Sequence, residues 1–211
     1  MQTLTQKIRM SGQEFVQKLL EGEREFPGVV LEPYFNLSGN EQFAVLQEHL
    51  RTMDLENSPI NLEGADLTGI DADGLHLPFV KANGACFKHA ILMEVNLESS
   101  EFENANFRYA RLPQANMKTC HFYNADLRQA DLNLAELNRS LLTGANVAGA
   151  NLLFANLQAT DIKGIVNLQL ARSVETANFQ FVSLGEIEKN IIRTEMWAQQ
   201  GKKRRLFGGA G

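Results

Sequence analysis

The sequence has little of what marks secreted, membrane and disulfide-rich proteins. Its 211 residues include only two cysteines, Cys86 and Cys120, which is too few for a disulfide framework. The first ten residues lack the apolar run of a signal peptide, and no stretch approaches the roughly 18 apolar residues of a membrane-spanning helix. We therefore expect a protein of the reducing cytoplasm with no membrane segment.

Signatures of catalysis and of cofactor binding are also missing. No Walker sequence, dinucleotide fingerprint, G-x-S-x-G motif or zinc-ligand spacing occurs. Cys86 and His89 lie close in sequence, but no further ligand stands at metal-binding spacing. The acidic pair Glu101 and Glu103 flanks Phe102 on a face that we expect to be open to solvent. The sequence therefore predicts a protein that is not an enzyme and has no cofactor or metal site.

What the sequence does contain is a period of five residues, from Ile60 to Gly164. Without an insertion, this stretch divides into 21 quintets, whose third residue is a large apolar residue in nineteen cases, Ala72 and Ala82 being the exceptions. The first residue is mostly alanine or a branched apolar residue. A period of five fits neither a strand nor a helix. Because residues two apart point to one side of an extended segment, the pattern predicts short sides joined by corners, stacked into a solenoid with an apolar interior.

The quintets resemble a known family. Ala65-Asp66-Leu67-Thr68-Gly69, Ala125-Asp126-Leu127-Arg128-Gln129 and Ala155-Asn156-Leu157-Gln158-Ala159 are similar to the A-[DN]-L-x-x unit of the pentapeptide-repeat proteins. The resemblance covers about half of the chain and implies a mainly β fold, a right-handed, four-sided β-helix with four quintets per coil. About six coils then stack at roughly 4.8 Å, which places residues 20 apart in one column. The resemblance also implies a bacterial protein, and some members of the family are cyanobacterial.

Three regions follow from the register. They are a helical N-terminal region (1–59), a β-helix (60–186) with a short helical interruption at 165–176, and a C-terminal helix with a basic, glycine-rich tail (184–211). We expect the two helical regions to cover the open ends of the solenoid, because an uncovered coil would expose unpaired strand edges. A small ligand-binding helical domain is the alternative for the N-terminal region.

Capping and apolar patterns predict the helices of these regions. Ser11 and Glu14 begin a helix that runs to about Gly22, and a second helix runs from about Asn40 to Met53. Between them, Val29 and Leu31 have the spacing of a partial coil. At the C-terminal end, Ser183 and Glu186 predict a capping box, and the apolar face of the following helix contains Ile187, Ile191 and Ile192, with Met196 and Trp197 one turn further.

Function must then lie on the outward positions. One outward column contains the basic residues Lys88, Arg108 and Arg128, but Asp66 and Asp126 on the same side favour a solvated ladder of mixed charge. The adjacent side has an apolar group at nominally outward positions, which consists of Ile91, Met93, Leu134, Leu153 and Phe154. Exposed apolar groups usually mark an interface. Coverage of this side by residues 165–176, or by the C-terminal segment, is the alternative.

These features favour a noncatalytic interaction protein whose rigid solenoid presents one side to an unknown protein partner, with a regulatory role as in cyanobacterial relatives. A homodimer through the C-terminal helix or the apolar side fits the same features. The resemblance also implies an alternative, a DNA-mimicking protein of the quinolone-resistance type that binds DNA gyrase. A mimic needs a dense acidic surface, whereas residues 60–182 contain thirteen acidic and nine basic residues, a net −4. Direct nucleic-acid binding through the Lys202–Arg205 tail is the least favoured reading.

Overall fold

Single-residue parallel bridges, rather than long strands, connect most of this chain. The structure is a computed structural model that describes residues 7–194. Its elements, in chain order, are β1 (Ile8–Met10), α1 (Gly12–Leu20), β2 (Val29–Leu31), α2 (Phe43–Thr52), two 3-10 helices (Leu168–Leu170 and Val174–Thr176) and helical residues 186–194 (α3). β1 pairs in parallel with β2, and parallel bridges join coils from residue 25 to residue 183.

The bridges define a coil of twenty residues with four sides. In the first complete coil, the second residue of each quintet pairs with the residue twenty positions later. We name the four faces of the solenoid after these second residues, as the Asn61, Asp66, Asp71 and His76 faces. The regular pairing confirms the repeat solenoid that the period of five predicts.

Three backbone hydrogen bonds recur on each face and hold one coil to the next. One of them, on the Asn61 face, joins Gly64 N–H to the carbonyl oxygen of Asn83 (2.9 Å). On the Asn61 face, Lys81 N–H donates to the carbonyl oxygen of Ile60 (3.0 Å). Leu62 N–H donates in turn to the carbonyl oxygen of Lys81 (2.6 Å). Because each coil uses the backbone groups of its neighbour, only the two ends of the solenoid leave such groups without a coil beside them.

Aliphatic and aromatic side chains fill the interior, as the first-and-third pattern predicts. One column of third residues is at most 5% exposed and consists of Leu67, Phe87, Phe107, Leu127 and Val147. Phe102 stacks on Phe122 with ring centroids 5.2 Å apart, and meets Phe107 edge to face at 5.1 Å. Aromatic pairs of this kind add about 0.5–1.5 kcal/mol each to the stabilisation from burial.

The fifth residue of every quintet turns the corner in a left-handed backbone conformation. All 21 of these residues have φ between 52° and 75°. Glycine adopts this conformation without strain, which accounts for residues such as Gly64 and Gly84. Large residues occupy it as well, including Leu134 (φ 58°) and Phe154 (φ 55°). For a side chain of this kind the strain is on the order of 1–3 kcal/mol.

Buried hydroxyl and thiol groups support one edge of the solenoid. The first residues of four successive quintets on the Asn61 face are buried and polar or sulfur-containing, namely Ser100, Cys120, Ser140 and Thr160. The last three donate to carbonyl oxygens 23 residues earlier in the chain. Ser140 Oγ also accepts from Cys120 N–H at 3.1 Å. Burial raises the pKa of the Cys120 thiol to about 12, so the thiol keeps the proton that it donates.

The solenoid begins before the predicted boundary at residue 60. Glu25, Val30 and Asn36 pair with the second residues of the first three faces of the next coil. The partial coil predicted at Val29 and Leu31 is therefore extended to three sides. On the fourth, the His76 face, the chain leaves the coil and forms α2 instead.

The two N-terminal helices differ in how well their starts were predicted. α1 begins after Ser11, whose Oγ accepts from Glu14 N–H at 3.1 Å, as the capping pattern predicts. α2 begins at Phe43, three residues after the predicted start at Asn40. Asn40 Oδ1 accepts from Gln42 N–H instead, which forms a turn before the helix.

Gln47 on α2 replaces a missing piece of backbone on the His76 face. On the other three faces, the N–H groups of the first complete coil donate to the carbonyl oxygens of Arg24, Val29 and Phe35. On this face, His76 N–H donates to Gln47 Oε1 (2.8 Å), and Gln47 Nε2 donates to the carbonyl oxygen of Gly74 (2.6 Å). A side-chain amide thus satisfies the coil edge that no strand covers.

The predicted helical interruption at 165–176 does not interrupt the stacking. Val166, Arg172, Asn178 and Ser183 pair with residues 20, 21, 22 and 22 positions earlier. Two extra residues therefore enter this coil, and the 3-10 helices Leu168–Leu170 and Val174–Thr176 accommodate them at its corners. The segment continues the coil rather than folding back over the Asp71 face, so it is not the cover that the sequence suggested.

The register of α3 differs from the predicted one. Ile187 is 73% exposed, whereas Glu188 is 5% exposed and Ile192 is 7% exposed. The helix begins at residue 186, so Ser183 lies too early to cap it, and Ser183 N–H donates to the carbonyl oxygen of Thr160 in the coil. Met196 and Trp197 lie outside the described residues.

Glu188 accepts a hydrogen bond from a backbone N–H group at the C-terminal end of the solenoid, as Gln47 does at the N-terminal end. Its Oε1 accepts from Gly164 N–H at 3.0 Å. A Cβ on Gly185 would lie 2.5 Å from Glu188 Oε2, so glycine leaves the space in which this carboxylate sits. A side chain from a flanking helix thus meets an unpaired backbone group at each end.

The packing of the interior is incomplete near the first coils. An apolar cavity of about 40 Å³ lies among residues of α1, α2 and the first two coils, and Ala72 is one of its lining residues. Apolar cavities of this size remain dry. Ala72 is one of the two third positions that lack a large side chain, and the missing volume explains the cavity.

Replacing Gln47 by alanine should lower the free energy of unfolding by about 1–3 kcal/mol, because His76 N–H then loses its acceptor. Urea unfolding followed by circular dichroism measures the change. Glu48→Ala, at the exposed next position of α2, is the matched control and should stay within about 0.5 kcal/mol of the parent. Equal losses in the two variants would contradict this role for Gln47.

Filling the cavity should stabilise the protein. Ala72→Val is expected to raise the free energy of unfolding by about 0.5–2 kcal/mol. Ala82→Val adds the same two methyl groups at a buried position that does not line the cavity, and should lower it by about 1–3 kcal/mol. Thermal and urea unfolding of the two variants compare them, and a loss of stability in Ala72→Val would show that the space cannot accept a side chain.

Candidate interaction face

The five apolar residues predicted as an interaction patch all lie on the Asp71 face. Its regular quintets begin at residues 70, 90, 110, 130 and 150, and bridges continue it to Asn36 in the coil before and to Arg172 in the coil after. Leu134 is 45% exposed and Phe154 is 60% exposed, whereas Ile91, Met93 and Leu153 are half-buried. Exposure is therefore concentrated at two fifth-position residues, where the backbone turns the corner towards the His76 face.

The five residues form two groups rather than one patch. Leu134 and Phe154 occupy one column in successive coils, and Leu134 N–H donates to the carbonyl oxygen of Leu153 at 2.8 Å. We call Leu134, Leu153 and Phe154 the apolar ridge. Ile91 and Met93 lie two coils away from Leu134, and Arg111 follows them, with its Nη2 3.4 Å from Met93 Sδ. The ridge alone presents a continuous apolar surface.

Acidic residues also lie on this face, and the sequence reasoning did not single them out. Asp71, Asp73 and Glu94 lie in the coils 60–79 and 80–99, and Asp131 lies in the coil of Leu134. Ser38 Oγ donates to Asp71 Oδ1 at 2.8 Å. Within residues 7–194, none of these carboxylates belongs to an ion pair. Aligning the sequence in rows of twenty would have revealed this acidic group.

The predicted basic column lies on the Asp66 face and is partly neutralised within the face. Arg128 donates to both oxygens of Asp126, at 2.8 Å and 2.6 Å, and Arg108 Nε lies 4.0 Å from the same carboxylate. Burial would raise the pKa of Asp126, but the hydrogen bonds from Arg128 and the charges of both arginines lower it below its ordinary value. Lys88 is the third member of the column.

Aromatic rings lie beside this basic column. The guanidinium carbon of Arg108 is 5.6 Å from the centroid of the Tyr109 ring, and His89 stacks on Tyr109 at 5.0 Å. Within residues 7–194 no group of three or more histidine, cysteine, aspartate or glutamate residues is arranged to hold a metal ion. Over the same residues, no helix has the length and apolarity needed to cross a bilayer.

Residues 165–176 leave Phe154, a residue of the apolar ridge, exposed. Residues 165–176 form the next coil, in which Arg172 continues the face, and Phe154 N–H donates to Thr176 Oγ1 at 3.1 Å. The Phe154 side chain stays exposed. The rest of the C-terminal segment, including the Lys202–Arg205 tail, lies outside the described residues.

Known proteins share the repeat. Residues 60–98, 100–139 and 135–165 match the family model of pentapeptide repeats, with eight copies. Similar solved structures include a pentapeptide repeat protein from the thylakoid lumen of Arabidopsis thaliana, which is 26% identical over 49% of this chain and 68% of its own, with a TM-score of 0.38. Another is Rfr23 from the cyanobacterium Cyanothece, 19% identical over 63% of this chain and 92% of its own, with a TM-score of 0.38.

A third similar structure is HetL from the cyanobacterium Nostoc, a pentapeptide repeat protein involved in the regulation of heterocyst differentiation. It is 16% identical over 82% of this chain and 94% of its own, with a TM-score of 0.25. No curated protein matches the chain by sequence. The bridged coils of twenty residues, the left-handed fifth residues and the eight matched repeats together show that this chain belongs to the pentapeptide-repeat family.

Proposed function

We propose that this protein is a noncatalytic interaction protein that binds a protein partner through the apolar ridge of its Asp71 face. The exposure of Leu134 and Phe154 carries the proposal. Both residues occupy fifth positions, where glycine or asparagine would relieve backbone strain. Two large apolar side chains that lie in solvent at strained positions do not help the fold, and exposed apolar groups of this kind are typical of interfaces.

The solenoid gives such a ridge a rigid support. The coils from residue 60 to residue 164 are bonded to one another on all four faces, so the ridge residues keep a fixed spacing of about 4.8 Å per coil. In our proposal the solenoid winds right-handedly through about six coils, and the helical segments at its two ends cap it. Capped ends suppress end-to-end association and leave the faces as the surfaces for partners. A pre-organised surface loses little conformational entropy on binding.

The ridge residues should be dispensable for folding. Leu134→Asn and Phe154→Asn should leave the free energy of unfolding within about 0.5 kcal/mol of the parent or raise it, because asparagine tolerates the left-handed conformation. Leu132→Ala and Leu152→Ala, two residues earlier on the same sides and buried, should lower it by about 2–5 kcal/mol. Urea unfolding measures all four. Marked destabilisation by the asparagine variants would mean that the ridge supports the fold.

The same residues should be required for partner capture. Tagged parent protein should retain at least one protein from an extract of the native cell in near-stoichiometric amount, and the Leu134→Asn, Phe154→Asn double variant should lose it. Ala159→Asn is the control, because Ala159 is also an exposed fifth residue, on the His76 face. Light scattering on the purified protein separates this outcome from pairing of two copies. Retention of the same proteins by all three forms would rule out the ridge as the interface.

A further inference from the structure

In the fourth and fifth columns of the Asp71 face, acidic residues lie at one end and apolar residues at the other, whereas the second column places Asp131 in the coil of Leu134. Asp73 and Glu94 lie in the coils 60–79 and 80–99, and the ridge lies in the coils 120–139 and 140–159. Glu94 and Phe154 are exposed residues of the same corner column. A partner that lies along the face therefore meets carboxylates first and apolar side chains about three coils further on.

The charges at the acidic end are available to a partner. Asp73 and Glu94 take part in no ion pair within residues 7–194. Arg111 lies in the coil between Glu94 and the ridge, and its guanidinium group contacts Met93 Sδ. Unpaired carboxylates such as Asp73 and Glu94 attract cationic groups and disfavour anionic ones. The complementary partner is therefore basic at one end.

The backbone of the face excludes one common mode of peptide binding. An added strand needs free N–H and C=O groups at a sheet edge. Here those groups are used from coil to coil, as in the bonds from Ala72 N–H to Ile91, from Leu92 N–H to Arg111 and from Leu132 N–H to Asn151. The face has no such edge along its length, so recognition must use side chains. An amphipathic helix contacts its target in this way, through residues spaced at i, i+3, i+4 and i+7.

We propose that the occupant of the Asp71 face is an amphipathic helix of a partner protein, with basic residues at one end and large apolar residues at the other. The inference rests on the proposed function and specifies its partner. Asp73 and Leu153 occupy the same column four coils apart, a distance of about 19 Å at strand spacing. A helix of about 13 residues spans the same length. Its basic end contacts Asp73 and Glu94, and its apolar end packs on Leu134 and Phe154.

Two labelled synthetic helices of about 14 residues test the proposal. The two peptides have the same composition. The first, segregated peptide has lysines at one end and leucine and phenylalanine at the other. In the second peptide the same residues are mixed evenly along the helix. Fluorescence anisotropy at low and high salt gives their affinities for the whole protein. We expect the segregated peptide to bind at least about tenfold more tightly than its isomer, and to weaken as salt rises.

Paired variants identify the two ends of the site. Asp73→Asn with Glu94→Gln should weaken the segregated peptide about tenfold at low salt and remove most of the salt dependence. Leu134→Asn with Phe154→Asn should weaken it at both salt concentrations and leave the salt dependence. Glu101→Gln with Glu103→Gln removes two charges from the Asn61 face and is the control, which should bind as the parent does.

Equal affinity of the two peptides, absence of binding, or equal effects of the acidic variant and its control would each overturn the helix proposal. So would light scattering that shows the parent as a dimer and the ridge variant as a monomer, because a second copy would then occupy the face. If these results appear while partner capture still needs Leu134 and Phe154, the proposed function stands without the helix. If capture does not need them, the proposed function itself fails.

Discussion

The structure depends on the hydrogen bonds that each coil makes to the coil before and the coil after it. In an ordinary sheet a strand pairs with neighbours over several residues, but here each side contributes essentially one bridge per coil. The bonds are local in space and about twenty residues apart in sequence, so no coil is stable without its neighbours. A buried backbone group without a partner costs about 1–3 kcal/mol. The two ends are therefore the critical places, and Gln47 and Glu188 bond there to groups that no coil covers.

The interior and the corners of the solenoid could be predicted from the sequence because a solenoid repeats one physical problem. Whatever residue stands first or third faces the inside, so Phe102, Phe122 and Leu127 were predicted correctly as buried residues. The fifth residue always turns the corner, even where it is Leu134 rather than glycine. Periodicity averages over 21 quintets, and a few exceptions do not obscure it. The family match confirms the resemblance to pentapeptide repeats that these quintets indicated.

The parts that do not repeat were predicted less well, each for a physical reason. In the sequence, Gln47 is an ordinary polar residue of a helix. Its role as the acceptor for His76 N–H follows from its position in the fold. Near Leu168 and Val174 the apolar spacing resembled that of a helix. In the structure, two short 3-10 helices at the corners of a coil each accommodate one extra residue. Ile187 belonged to an apolar pattern, but Glu188 turned inward because Gly164 N–H needed an acceptor. In the first and third cases a hydrogen bond at an end of the solenoid decided the outcome, and in the second case the stacking of one coil on the next did so.

The candidate face was predicted in outline for the same reason. The register correctly assigned Leu134 and Phe154 to one outward column, but it could not show that Leu153 would be half-covered while they stay exposed. Interior and corner geometry are common to all 21 quintets, so they carry no information that distinguishes one face from another. That information lies in the second, fourth and fifth residues of the quintets, compared between residues that are twenty positions apart. On the Asp71 face the fourth and fifth columns change from Asp73 and Glu94 to the apolar ridge, whereas the second column keeps a carboxylate, Asp131, in the coil of Leu134. A partner that recognises this change contacts side chains on a surface and needs no pocket.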